Sequence, residues 1–195
     1  MEIIAHRRNT AQDLRDTPTH FGIEVDIRSR GEALIIHHDP FVDGESLEGW
    51  LDHFRHGLLI LNVKEEGLEE RLIALMAARG IERYFFLDQS FPFLIRTARL
   101  GERRCAVRVS EYESIATALS LAGKIDWVWV DCFTQFPLDS DDAAALAKAG
   151  FRLCLVSPEL QGRDAEVEIP AMRSLLENRG ITADAVCTKR PDLWS

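Results

Sequence analysis

The chain has 195 residues, 46% of them hydrophobic, and a formal net charge of −9. That size and apolar content predict one globular domain over residues 1–195 with a substantial core, and no Pro-, Ser- or Gly-rich linker divides it. The acidic balance excludes a general binder of nucleic acid or anionic membrane, while leaving room for a local phosphate pocket.

The opening MEIIAHRRNT lacks the apolar stretch of a signal peptide, and no apolar run approaches the ~20 residues that span a bilayer. Cys105, Cys132, Cys154 and Cys187 each fall in or at the end of a strand-like run, with no spacing suited to a zinc knuckle. Buried free thiols and a cytoplasmic location are the expectation. Every histidine precedes residue 57 and no Cys–His motif occurs, which argues against a catalytic cysteine.

Eight short apolar runs predict strands at 2–6, 22–27, 58–63, 83–88, 105–109, 127–131, 152–157 and 184–188. Helical patterns lie between them at 46–56, 67–80, 91–101, 110–123, 140–150 and 168–180, several closing on Gly. The segment 7–20 holds at most one short helix, interrupted by Pro18, and only KRPDLWS follows the eighth strand, so the last helix is expected to be missing. Continuously apolar strands alternating with helices predict a trimmed (β/α)8 TIM barrel with reduced first and last helices. An open doubly wound sheet is the rival, but no GxGxxG or Walker loop marks a nucleotide site.

Barrel chemistry gathers at the C-terminal ends of the strands. Here those ends carry His6 and Arg7, Glu24 and Asp26, Asn62 and Lys64, Asp88 and Gln89, Arg108 and Ser110, Asp131, Ser157 and Glu159, and Thr188 and Lys189. Glu24 and Asp26 leave one face of a strand while Val25 and Ile27 leave the other. Such a pair is either the solvated face of an acidic edge strand or the two sides of a cation site. His6 and His38 end apolar runs, whereas His53 and His56 belong to a charged helix surface and His20 to a loop. Continuing the strand through ALIIHH places Leu34, Ile36 and His38 on one face and Ile35 and His37 on the other. The apolar stretch YFFLDQSFPFLI reads either as a subunit contact or as a buried strand and core-facing helix, and oligomeric state is left open.

Taken in order, IIAHR, GIEVDIRSRGEALIIHHDP, LNVK and AVCTKRP resemble the glycerophosphodiester phosphodiesterase family of the phosphatidylinositol-specific phospholipase C-like barrels. The resemblance spans the chain and is strongest over residues 2–41. It implies His6 and His38 as the acid/base pair, Glu24, Asp26 and Asn62 as ligands of a divalent metal ion (Mg²⁺ or Ca²⁺), and Arg7 and Lys64 as phosphate contacts. It also implies a small-molecule phosphodiester substrate from lipid metabolism. The chain departs from the pattern in three places. Arg8 replaces a glycine, a Glu-Asn-Thr segment shrinks to Asn9–Thr10, and Asn62 replaces the third metal carboxylate. The insertion after His-Asp is reduced to residues 41–57. The expected function is metal-dependent hydrolysis of a glycerophosphodiester-like substrate through a cyclic phosphate. The alternatives are a non-catalytic phosphate-binding protein and a metal-independent lyase.

Overall fold

In the computed structural model, which describes Met1–Ser195, the chain begins with β1 (Glu2–Ala5), α1 (Ala11–Asp16) and β2 (Gly22–Arg30). A hairpin extension comes next, formed by β3 (Ala33–Ile36) and β4 (Glu45–Ser46), then α2 (Leu47–Leu51). Regular alternation resumes with β5 (Leu59–Val63), α3 (Glu69–Ala78), β6 (Tyr84–Leu87), α4 (Phe91–Arg99), β7 (Ala106–Val109) and α5 (Ile115–Leu119). It continues through β8 (Trp127–Val130), α6 (Ser140–Lys148), β9 (Arg152–Val156), a 3₁₀ turn (Pro158–Gln161), α7 (Ala165–Arg179), β10 (Ala185–Thr188) and α8 (Pro191–Trp194).

The fold is the trimmed (β/α)8 barrel that the alternation predicts. Strands β1, β2, β5 and β6 pair in parallel, as do β7, β8, β9, β10 and β1. The ring closes between β6 and β7 through a single bridge, Phe86 to Cys105. Beyond the barrel β2 runs on to Arg30 and pairs antiparallel with β3. The predicted strand at 22–27 is therefore only the part of β2 inside the wall.

Two apolar clusters follow the two-residue period of the strands. Outward residues such as Ile23, Val25, Ile27, Leu61, Phe86 and Val130 pack under the helices. Inward residues Ile4, Leu58, Ile60, Phe85, Trp127, Trp129, Cys154, Val156 and Cys187 fill the barrel, with Phe85 stacked on Trp127 at 4.6 Å. Gly22 faces inward where nothing larger fits: a Cβ there would lie 2.3 Å from Ile4 Cδ1 and 2.7 Å from the Leu58 carbonyl. This filled lower barrel leaves only the mouth for polar side chains.

Several predicted helices are shorter than their patterns. The 46–56 pattern forms only Leu47–Leu51, because the Trp50 indole donates to Arg8 O at 2.9 Å and His56 Nε2 meets Thr17 O at 2.9 Å, turning the chain back. The 110–123 pattern forms only Ile115–Leu119, because Ser110 and Glu113 close a turn and Ser114 caps the shortened helix. The last helix is not missing. Trp194 in the short α8 is buried and donates to Ser157 Oγ at 2.8 Å. All four cysteines are buried and free, and no helix is long and apolar enough to cross a membrane.

Candidate active site

The inward parity of β2 continues from Gly22 to Glu24 and Asp26, so both carboxylates enter the barrel mouth and both are buried. Neither faces solvent, which removes the acidic-edge reading. Parallel pairing places Asp26 beside Asn62 of β5. Glu24 accepts hydrogen bonds from the Arg7 backbone N–H (2.7 Å) and from the Asn62 amide (2.8 Å). Asp26 accepts from Asn9 Nδ2 (2.8 Å), and its own N–H donates to Asn9 Oδ1 (3.0 Å). It also forms ion pairs with Arg7 Nε (3.2 Å) and Lys64 Nζ (3.3 Å). Burial, and then the Asp26 charge, push the Glu24 carboxyl up to about 7 against those donors.

Arg7 adopts φ 52. That left-handed backbone is costly for a residue with a side chain; here it points the Arg7 N–H at Glu24 while the guanidinium reaches Asp26. Asp88, at the end of β6, has φ 60 and likewise carries a rim side chain, pairing with Lys64 Nζ at 3.1 Å and with Arg108. Arg108 also lies 3.5 Å from Asp131, which accepts from Gln161 at 2.6 Å. On the opposite rim Glu159 accepts from Thr188 Oγ1 (2.7 Å) and the Lys189 N–H (2.8 Å). From Arg7 through Asp26, Lys64, Asp88 and Arg108 to Asp131 the polar strand ends form a connected charge network.

His6 sits between the acids and the rim, its Nε2 3.8 Å from Glu24 Oε2 and its Nδ1 buried without a partner. Burial, and then the Arg7 and Lys189 charges, lower its pKa to about 3. His38 is more open, its side chain 42% exposed, and its Nδ1 lies 2.7 Å from Asp39 Oδ1. Arg7, His37 and His38 line one cavity of about 630 Å³ together with Asn9, Asp43 and Glu45. The two histidines do not take opposite faces of a strand, because β3 ends at Ile36 and both lie in the turn after it. His37 Nδ1 accepts the Asp39 N–H at 3.0 Å within that turn.

Two residues that the sequence did not single out position this site. Asn9, read as a vestige, clamps Asp26. Arg28 donates to the backbone carbonyl of His38 (2.8 and 3.1 Å) and to that of Lys64 (3.1 Å), tying the hairpin to the end of β5. Its signal is parity, since Arg28 is the next residue after Glu24 and Asp26 on the same face of β2.

The expected metal donors, Glu24, Asp26 and Asn62, are brought together, but their oxygens are largely engaged by protein groups. Asn62 presents its N–H to Glu24, not its carbonyl. Asn62 Oδ1 has no partner, and Asp26 Oδ1 has no aligned hydrogen bond although Lys64 Nζ is 3.3 Å away. No three His, Cys, Asp or Glu side chains form a group that could hold a metal ion. A hard divalent cation needs carboxylate oxygens free to face it; with Asp26 paired to Arg7 and Lys64, and Glu24 bonded to the Arg7 N–H and Asn62, the residues as arranged do not fit one.

No protein-family model matches the sequence, and no curated protein does. Solved structures match by fold. A glycerophosphodiester phosphodiesterase from Agrobacterium tumefaciens superposes with TM-score 0.69 and 16% identity, covering 100% of this chain and 98% of its own. A mutant tryptophan synthase alpha-subunit from Pyrococcus furiosus superposes with TM-score 0.57 and 10% identity, covering 96% of this chain and 86% of its own. At these identities the likeness establishes the barrel fold alone.

Proposed function

We propose that the protein is a phosphodiesterase acting on a small glycerophosphodiester-like molecule in the cavity shared by Arg7 and His38. The observation that carries this reading is that convergence: a guanidinium fixed by Asp26 shares one cavity with an Asp39-bound histidine. The fold likeness to a glycerophosphodiester phosphodiesterase and the ordered His-Arg, Glu-x-Asp and His-Asp motifs support it.

In this mechanism Arg7 and Lys64 bind the non-bridging phosphate oxygens, where negative charge grows in the transition state. One of His6 and His38 accepts the proton of a substrate hydroxyl beside the phosphate as its oxygen bonds to phosphorus. The other donates a proton to the departing alcohol as its P–O bond breaks. Water then opens the resulting cyclic phosphate with the two histidines exchanging roles.

Hydrolysis of glyceryl p-nitrophenyl phosphate, whose glycerol carries a hydroxyl beside the phosphate, tests the assignment. The wild type is expected to release nitrophenolate, and His38→Ala to lose most of that rate while remaining folded. A folded wild type without turnover on aryl or glyceryl phosphodiesters would favour the non-catalytic phosphate-binding alternative.

A further inference from the structure

The acids at the barrel mouth are satisfied from within the chain, Asp26 by cations and Glu24 by N–H donors. Asp26 is completely buried, yet each of its oxygens has a positive group beside it: Arg7 Nε 3.2 Å from Oδ2 and Lys64 Nζ 3.3 Å from Oδ1. Glu24 uses one oxygen on the Arg7 N–H and the other on the Asn62 amide. A carboxylate at position 62 would leave Glu24 without that donor and add a negative charge. The neutral Asn62 is what allows Glu24 to be satisfied from within the chain.

Of these cations Arg7 keeps free capacity towards the cavity it shares with His38, and Lys64 faces a separate cavity lined also by Asp88. Arg7 is 41% exposed, and its two terminal nitrogens have no hydrogen-bond partner, which leaves a planar fork suited to two phosphate oxygens. Lys64 bridges Asp26 and Asp88, with one of its three N–H donors left over. A divalent ion placed against either Asp26 oxygen would meet one of these positive groups, whose like charge opposes it.

We propose that this site binds its phosphate-bearing ligand without a divalent cation, Lys64 and Arg7 standing over Asp26 where a metal would stand and holding the phosphate oxygens directly. The choice of a phosphodiester as ligand rests on the function proposed above; the exclusion of the metal rests on the side-chain contacts alone.

Calorimetry on EDTA-treated, dialysed protein separates the two. Titration of Mg²⁺, Mn²⁺ or Ca²⁺ is expected to give no saturable binding tighter than about 1 mM, the weak end of protein Ca²⁺ sites. Inorganic phosphate is expected to raise the thermal midpoint equally in EDTA and in Mg²⁺. Lys64→Met and, if that variant does not fold, Arg7→Lys are expected to reduce the phosphate effect. Saturable metal binding, or a phosphate effect that needs the metal, overturns the proposal whether or not the protein has turnover. Absence of hydrolysis in both EDTA and Mg²⁺, with phosphate bound in both, instead overturns the phosphodiesterase assignment and upholds the metal-free site.

Discussion

Asp26→Asn and Glu24→Gln are nearly isosteric changes of two buried carboxylates on one strand, and the structure gives them unequal costs. Asp26 compensates Lys64, which is 15% exposed, and Arg7, which is 41% exposed. Removing one partner of a buried pair typically costs ~3–5 kcal/mol. Arg7 can regain water, so its share falls to the ~0–1 kcal/mol of a surface pair, and Lys64 keeps Asp88 at 3.1 Å. The new amide N–H₂ would also have to face Lys64 Nζ or the Asn9 N–H₂. A net loss of about 3 kcal/mol results, which lowers Tm by roughly 6–12 °C in a chain of this length. Glu24 meets only neutral N–H donors, and Asn62 can turn its amide to offer Oδ1 to a glutamine. Glu24→Gln is therefore expected to cost about 1 kcal/mol. Thermal unfolding followed by the fluorescence of the four tryptophans reads both variants. If Asp26→Asn is as stable as the wild type, or Glu24→Gln the more damaging, the cation-compensated description of the mouth is wrong. From the sequence, relief of acid–acid repulsion predicts unchanged or greater stability for both variants; the Arg7 and Lys64 pairs reverse that for Asp26.

Three further outcomes are expected from the contacts. His6→Ala and His38→Ala should each reduce hydrolysis of a glyceryl aryl phosphodiester by ~10²–10⁴-fold, whereas His37→Ala should change it only a few-fold; a larger loss at His37 would exchange the roles of the two neighbours. Arg28→Gln, which releases the carbonyls of His38 and Lys64, should lower kcat about ten-fold or more, a barrier increase of at least ~1.4 kcal/mol. Inorganic phosphate should still shift its thermal midpoint, and loss of that shift would mean that Arg28 contacts the ligand instead. Trp194→Ala should cost ~3–5 kcal/mol and Trp194→Phe about 1 kcal/mol for the lost bond to Ser157; equal effects in urea unfolding would show that packing at α8 is unimportant.

The sequence by itself determined the barrel and the identity of its mouth. Strand positions follow from apolar runs, and strand parity alone sends Glu24 and Asp26 to the face opposite Val25 and Ile27. The ordered motifs then place His6, Arg7, Asn62 and Lys64 at neighbouring strand ends. Tertiary structure decided what those charges do to one another. Asn9 and Arg28 act on partners 17 and 36 residues away, respectively, and no local pattern encodes such pairings. The ending of β3 at Ile36, which brings His37 and His38 into one cavity, depends on β2 leaving the barrel to pair with it. Most consequentially, two carboxylates at i and i+2 read alone leave a solvated edge and an external cation as the alternatives. Only the closed ring, by setting the Arg7 turn and the end of β5 over Asp26, supplies that positive charge from within the chain.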